Sequence, residues 1–146
     1  MTGEELTVQL RDAEGEPVRV AGVHLDLLFY VEGRFRYSFS LGRTDVHGVC
    51  RTTFEDVEQQ LEANRRLFLM DYNTPLSDCD RLVGITAPAA SELVEREASR
   101  AKWWPDEPPM YVGAANDRVR CPEQKFELRR GSGNAFELVC DVEEGR

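Results

Sequence analysis

The side chains that could do acid–base chemistry in this sequence are few. The chain contains two histidines, His24 and His47, and Asp45 lies two residues before His47. A histidine beside a carboxylate can act as a general base, but it also needs a nucleophile or a substrate group within hydrogen-bond reach. Asp45 is better interpreted as a turn residue that binds nearby backbone, and His24 as a structural histidine. We therefore predict no catalytic residue.

Clustered carboxylates are the side chains that could bind a metal ion. Asp71, Asp78 and Asp80 lie close together in the sequence. A calcium loop also needs a glycine at its sharp turn and a bidentate acid at its end, and neither stands at the required spacing. We therefore interpret this segment as a solvated acidic loop, and we expect neither a metal nor a cofactor.

Four cysteines are spread along the chain, at Cys50, Cys79, Cys121 and Cys140. They are too far apart for a CxxC metal site and too few for a disulfide framework. A nucleophilic Cys50 or Cys79 would need a nearby cation or a helix N-terminus to lower its pKa. We expect the cysteines to be reduced and mostly buried, because free cysteine behaves as a small hydrophobic residue.

The most informative segment for function is WWPDEPPMY, residues 103–111. Aromatic residues and methionine are enriched at protein contact surfaces, where they supply large areas at low entropic cost. In the alternative interpretation, Trp104 and Met110 only fasten a helix over a sheet. Trp103 lies about 100° from Trp104 around that helix and is freer to face a partner. The predicted partner-binding residues are Trp103, Trp104, Met110 and Tyr111.

Length and charge limit the classes of partner. The chain has 146 residues, 41% of them hydrophobic, which suffices for one domain with its own core. Its 27 acidic and 18 basic side chains give a formal net charge of −9, which opposes binding to nucleic acid or anionic lipid. No apolar run approaches the roughly 20 residues that cross a bilayer, and the first residues do not resemble a signal peptide. We expect a cytoplasmic protein with no nucleic-acid or membrane partner.

The first half of the chain is predicted to consist mainly of strands. Apolar residues alternate with polar ones at Leu6, Val8 and Leu10, which is typical of a half-buried strand. A long second strand starts at Val18, and its change of parity predicts a β-bulge at Ala21–Gly22. Further strands are predicted at 35–41 and 49–54, separated by a turn at 44–48.

The second half contains the predicted helices. A short helix is predicted at 55–64, with Thr52 and Glu55 as a capping box, and a strand at each of 66–72 and 82–86. The clearest helix is predicted at 91–104, capped by Ser91 and ended by Pro105, with 105–109 extended. Strands at 124–130 and 135–142 are predicted to form a hairpin around 131–134. The apolar stripe of the 91–104 helix is predicted to be Leu93, Val94, Ala98, Ala101 and Trp104.

A group of motifs in the first third of the chain resembles a known family. These are LTVQLRD at 6–12, GEPV at 15–18, GVHL at 22–25, GRTD at 42–45 and Gly48. They are similar to the opening of transthyretin-like (prealbumin-like) and carboxypeptidase-regulatory-like domains, which share a strand, a D-x-x-G-x-P-V turn, a long second strand and a later T-D-x-x-G turn. The resemblance implies a β-sandwich in which a helix follows a mid-chain strand before the last strands.

One enzymatic branch of that superfamily, the hydroxyisourate hydrolases, has a histidine in the first strand and a C-terminal Tyr-Arg-Gly-Ser. Here the first strand carries Val8 and Gln9 without a histidine. The sequence Arg-Gly-Ser does occur at 130–132, but an arginine precedes it and fourteen residues follow it. The hydrolase motifs are therefore absent, since a motif counts only in its structural context.

Together these patterns predict one mainly β domain over residues 1–146. Its architecture is a two-sheet prealbumin-like or Ig-like β-sandwich with one or two inserted helices, the clear one at about 91–104. The predicted function is a non-enzymatic cytoplasmic module that binds another protein through residues 103–111 or through an exposed sheet edge. Because sheet edges carry unpaired backbone groups, self-association into a homo-oligomer is also consistent with this prediction.

Two alternatives from other classes stay open at this point. The first is a small hydrolase or metal-dependent enzyme that uses His24 or His47 with Asp45, Asp71 or Asp80, and it requires these side chains to converge in one concavity. The second is a small-ligand binder, which requires an apolar channel between the protomers of a symmetric oligomer.

Overall fold

The computed structural model describes residues 5–31, 34–53, 55–57, 59–60, 81–109, 111, 113–128 and 134–142. Within these ranges the chain forms eight strands and one long helix, α1, which lies between the fifth and sixth strands. Residues 55–57 and 59–60 are also helical. The elements are β1 Glu5–Arg11, β2 His24–Val31, β3 Arg34–Arg43, β4 Val49–Thr53, β5 Arg81–Ala87, α1 Ala90–Trp103, β6 Val119–Leu128, β7 Asn134–Val139 and β8 Asp141–Val142.

The strands form two sheets that pack as a β-sandwich, as predicted. The smaller sheet has the order β4-β1-β7, with β1 antiparallel to β4 and parallel to β7. The larger sheet has the order β3-β2-β5-β6-β8, and all its neighbouring strands are antiparallel. The predicted mainly β, two-sheet fold class is therefore confirmed.

The core consists of the inward residues of both sheets. Leu6, Val8 and Leu10 of β1 are buried, which confirms the alternation seen in the sequence. Leu25, Leu27 and Phe29 of β2, Val83 and Ile85 of β5, and Leu138 of β7 complete the centre of this core. Side chains of opposite parity on β2 therefore lie on the outer face of the larger sheet.

The β-bulge predicted at Ala21–Gly22 is wrong, because the chain makes a turn there and β2 begins only at His24. Gly22 has a φ of +85° and donates its N–H to the carbonyl oxygen of Thr44 at 2.8 Å. The Thr44 hydroxyl donates to the carbonyl oxygen of Val20 and accepts the N–H of Val23. A tight turn restores the inward parity as well as a bulge would, so periodicity alone does not distinguish the two.

The predicted C-terminal hairpin is also wrong. Strands β6 and β7 belong to different sheets, with β6 between β5 and β8 and β7 beside β1. After β7 the chain crosses between the sheets at Cys140, whose N–H donates to the carbonyl oxygen of Arg11 at 2.7 Å. Both strands have the alternation that suits a sandwich, and alternation does not specify which sheet a strand joins.

The crossover brings Cys140 against β6, where it forms a disulfide with Cys121. The expectation of reduced cysteines is therefore wrong for this pair. The two residues are 19 positions apart in the sequence, and they become neighbours because the chain crosses from the smaller to the larger sheet after β7. Cys50 is a buried free thiol and donates to the carbonyl oxygen of Leu41 at 3.6 Å. Cys79 and the strand predicted at 66–72 lie outside the described residues.

Helix α1 begins and ends one residue earlier than predicted, and its cap differs. Ala89 is the N-cap residue and makes no side-chain hydrogen bond, so Ser91 is not the cap. Of the predicted apolar stripe, only Leu93 is buried, and Val94 is 69% exposed. After the helix, residues 105–107 form a turn rather than the predicted extended segment, and Glu107 donates its N–H to the carbonyl oxygen of Trp104.

The two other predicted elements agree more closely with the structure. The strand predicted at 82–86 is β5. The helix predicted at 55–64 is helical where it is described, at 55–57 and 59–60. Its cap is Thr53, whose hydroxyl accepts the N–H of Asp56 at 3.1 Å, so the predicted cap at Thr52 is wrong by one residue.

Replacing both Cys121 and Cys140 by alanine should lower the free energy of unfolding by about 3 kcal/mol, because a closed loop of this length restricts the unfolded chain by about that amount. Urea denaturation with and without reductant measures the change. Reductant should destabilise the wild type and leave the double variant unaffected. Equal stability of the oxidised wild type and the double variant would contradict this role for the disulfide.

Gly48→Ala should destabilise the fold far more than Gly15→Ala. Both glycines have positive φ, so each substitution costs about 1–2 kcal/mol of backbone strain. A Cβ at Gly48 would also collide with the carbonyl group of Val18, whereas a Cβ at Gly15 has nothing within 4 Å. Thermal denaturation of the two variants measures the difference. Equal losses of stability would show that the Val18 carbonyl group can move aside and does not exclude a side chain at position 48.

Candidate functional site

A buried polar cluster lies between α1 and the outer face of the larger sheet. His24 and Asp26 are two positions apart on β2 and therefore point to the same face. Their side chains are each only 3% exposed, and His24 Nε2 lies 3.0 Å from Asp26 Oδ1. Asp26 therefore holds the imidazole ring in place beneath the helix.

Arg96 connects this pair to α1. Its Nη1 lies 2.7 Å from Asp26 Oδ2, and its Nη2 lies 3.1 Å from Glu92 Oε1, one helical turn away. Burial alone would lower the pKa of Arg96, but the carboxylate of Asp26, with help from Glu92, raises that pKa above its ordinary value. The guanidinium therefore stays charged and balances the buried carboxylate.

The segment 113–118 closes the cluster through Asn116. Its Oδ1 accepts the N–H of His24 at 2.8 Å, and its Nδ2 donates to the carbonyl oxygens of His24 at 3.0 Å and Pro88 at 2.8 Å. Asn116 is buried, so these bonds satisfy the first backbone groups of β2 as a neighbouring strand would. One side chain therefore joins β2, the segment before α1 and the segment before β6.

Tyr111 is the predicted site residue that touches the cluster. Its ring meets the ring of His24 edge-on, with centroids 5.2 Å apart and planes at 74°, and the Arg96 guanidinium carbon lies 5.9 Å from its centroid. Its N–H donates to Glu97 Oε1 at 3.4 Å. Tyr111 therefore packs between α1 and His24, and it is only half-exposed.

Beside the cluster lies a cavity of about 1100 Å³, between the first turn of α1 and the outer faces of β2, β5 and β6. Asp26 and Arg96 form part of its wall. Acidic residues outnumber basic ones in its lining. The charged lining residues are Asp26, Glu92, Asp117, Glu123 and Asp141, with Arg96 and Arg120.

The geometry of His24 does not match that of a general base. A base must reach the proton that it removes, but His24 is almost completely buried and its Nε2 faces Asp26. The predicted alternative pairing of His47 with Asp45 is not a catalytic pair either. The Asp45 carboxylate accepts the backbone N–H groups of His47 and Val49, and the bond from Val49 is the main cause that lowers the pKa of Asp45. Asp71, Asp78 and Asp80 lie outside the described residues.

Cys50 has no feature of a reactive thiol. Burial, with a smaller contribution from the charge of Asp45, raises the pKa of Cys50 to about 12. A thiol is a nucleophile only as the thiolate, which is scarce at neutral pH under these conditions. Among the residues that the structure describes, no group of three or more His, Cys, Asp or Glu side chains could hold a metal ion.

Trp103 and Trp104, two of the predicted partner-binding residues, lie at the C-terminal end of α1. Trp103 is 68% exposed and Trp104 is 52% exposed, so the alternative in which Trp104 fastens the helix to a sheet is wrong. The Nζ of Lys102 lies 5.9 Å from the centroid of the Trp103 ring. Arg100 Nη1 donates to the carbonyl oxygens of Trp104 and Glu107 and so holds the turn that follows the helix. Met110 lies outside the described residues.

An apolar groove of about 450 Å³ runs along another side of α1. The helix contributes Val94, Ala98 and Ala101, and the segment after the tryptophans contributes Tyr111, Gly113 and Ala114. Small side chains line most of it, and Glu97 is its one charged lining residue. The exposed apolar surface of α1 therefore consists of this groove and the tryptophan pair at the C-terminal end.

Among the described strands, side chains bind the backbone of one residue at each of three of the four sheet edges. At β7, the amide of Gln124 donates to the Val139 carbonyl oxygen and accepts its N–H, both at 2.9 Å. At β4, Asp45 binds both backbone groups of Val49, with its own N–H and its carboxylate. At β3, Gln60 Nε2 donates to the Ser40 carbonyl oxygen, and the fourth edge, β8, is two residues long.

Sequence reasoning missed Asp26, Arg96 and Asn116. The detectable signal was the spacing of His24 and Asp26, because two polar residues at positions i and i+2 of an otherwise apolar strand must share one face and need a cover. The i, i+4 spacing of Glu92 and Arg96 predicts the ion pair between them but gives no sign of the one with Asp26. Asn116 carries no sequence signal, since its partners are up to 92 positions away.

The fold and the site define a mainly β two-sheet sandwich with a helix packed over the outer face of the larger sheet through a buried ion pair. No protein-family model matches the chain, and no curated protein sequence matches it significantly. Within the described ranges, no helix is both long and apolar enough to cross a membrane.

Asp26→Asn should lower the free energy of unfolding by about 3 kcal/mol, because it leaves the Arg96 charge without its buried partner. Glu92→Gln is the matched control: it removes the exposed carboxylate that binds the same guanidinium and should cost less than about 1 kcal/mol. Urea denaturation of both variants measures the two losses. Similar losses for the two variants would show that the buried Asp26–Arg96 pair contributes no more to the free energy of unfolding than the exposed Glu92–Arg96 pair.

In the folded protein Cys50 should resist alkylation at neutral pH, because its thiol is buried and its pKa is raised. Iodoacetamide labelling followed by peptide mapping checks this. Cys50 should become labelled in denaturant without reductant, whereas Cys121 and Cys140 should need reductant as well. Rapid labelling of Cys50 in the native protein would contradict the assignment of a structural thiol.

Proposed function

We propose that the protein is a non-enzymatic module that binds another protein through the surface of α1 that ends in Trp103 and Trp104. The observation that carries this proposal is the exposure of two adjacent tryptophans at a position held in place by Arg100. Tryptophan is among the residues that dominate binding energy at interfaces, and a clustered exposed apolar surface on a single chain marks an interaction site.

Two features favour this surface over the sheet edges. The edges of β3, β4 and β7 have side chains bound to their backbone, which reduces the number of groups available for strand addition. The apolar groove adds contact area on the same helix, with walls of small residues that admit a bulky side chain. The proposed contact is therefore made by side chains of the helix rather than by backbone pairing.

The proposed partner presents apolar anchor residues accompanied by basic ones. The chain carries a net charge of −9, and exposed Asp106 and Glu107 directly follow the tryptophans. Complementary charge speeds association and disfavours acidic competitors. The same argument excludes nucleic acid and anionic membranes from the proposal.

We further propose that the chain is a divergent relative of the transthyretin-like and carboxypeptidase-regulatory-like sandwiches. Supporting this proposal, Asp12 accepts the N–H groups of Glu14 and Glu16 in the first family-like turn, Gly15 and Gly48 both have positive φ, and α1 separates the mid-chain strand β5 from the last strands. The cytoplasmic location expected from the sequence is not part of this proposal. The disulfide argues against it, since disulfides are rare in the cytosol.

Selection from a random peptide display library, followed by affinity measurement on purified protein, tests the proposed surface. Selected peptides should be apolar and basic, and Trp103→Ala or Trp104→Ala should weaken their binding by at least about tenfold. Leu82→Ala is the control, because Leu82 is also exposed, at 48%, but lies on β5.

The effect of salt and the comparison with the Leu82→Ala control complete the test of the proposed surface. Added salt should slow association of the selected peptides, because the proposed attraction is partly electrostatic. Peptides that bind equally to the wild type and both tryptophan variants would show that the surface lies elsewhere. An equal loss with Leu82→Ala would show a general effect of removing exposed apolar area.

A further inference from the structure

We draw no further inference here: the strongest candidate, the cavity of about 1100 Å³ between the first turn of α1 and the outer face of the larger sheet, carries nothing, because Asp26, the buried acid in its wall, is already bound by His24 and Arg96 and nothing else in the described residues points to a ligand.

Discussion

The position of α1 depends on the burial of the Asp26 carboxylate. A carboxylate removed from water is tolerated only if a cation and hydrogen-bond donors replace its hydration. Strand β2 supplies His24 as one partner of the carboxylate, and the balancing positive charge must come from a second element. Arg96 supplies it only if the helix lies across the outer face of the sheet with that residue turned inward. The ion pair therefore sets both the place of the helix and its rotation, and Asn116 adds the connection to the segment before β6.

This constraint explains why apolar residues of the helix remain exposed. A helix that packed by its apolar stripe would turn Val94, Ala98 and Ala101 toward the sheet and leave Arg96 in water. The buried acid requires the opposite rotation, so Leu93 is the one residue of the predicted apolar stripe that is buried, and Val94 is exposed. The proposed contact surface thus follows from the polar cluster on its other side. Local rules are often broken at functional sites, and the exposed stripe is such a conflict between periodicity and burial.

The alternation of apolar and polar residues predicts which strand residues are buried. It does not predict which strands pair with each other. Leu6, Val8 and Leu10 predict their own burial because a strand has two faces and one is covered. The membership of β7 in the smaller sheet, and with it the Cys121–Cys140 disulfide, depends on contacts with β1 that alternation does not encode. Exposure was predicted for Trp103 but not for Trp104. Trp104 lies on the apolar face of the helix, and that face was expected to be buried.

The bonds made at the edges of the sandwich bear on the proposed mode of binding. Gln124 and Asp45 each occupy both backbone groups of one edge residue, Val139 and Val49, and so imitate the pairing that another strand would make. An extended peptide that added to either edge would first have to displace these bonds and leave a side-chain amide or carboxylate to be resolvated. Contact through the apolar groove and the tryptophans of α1 requires no such displacement, because Val94, Ala98, Ala101 and the two indole rings lose only water. The fold therefore opposes backbone pairing at those two edges, and this supports the proposed contact through the helix surface.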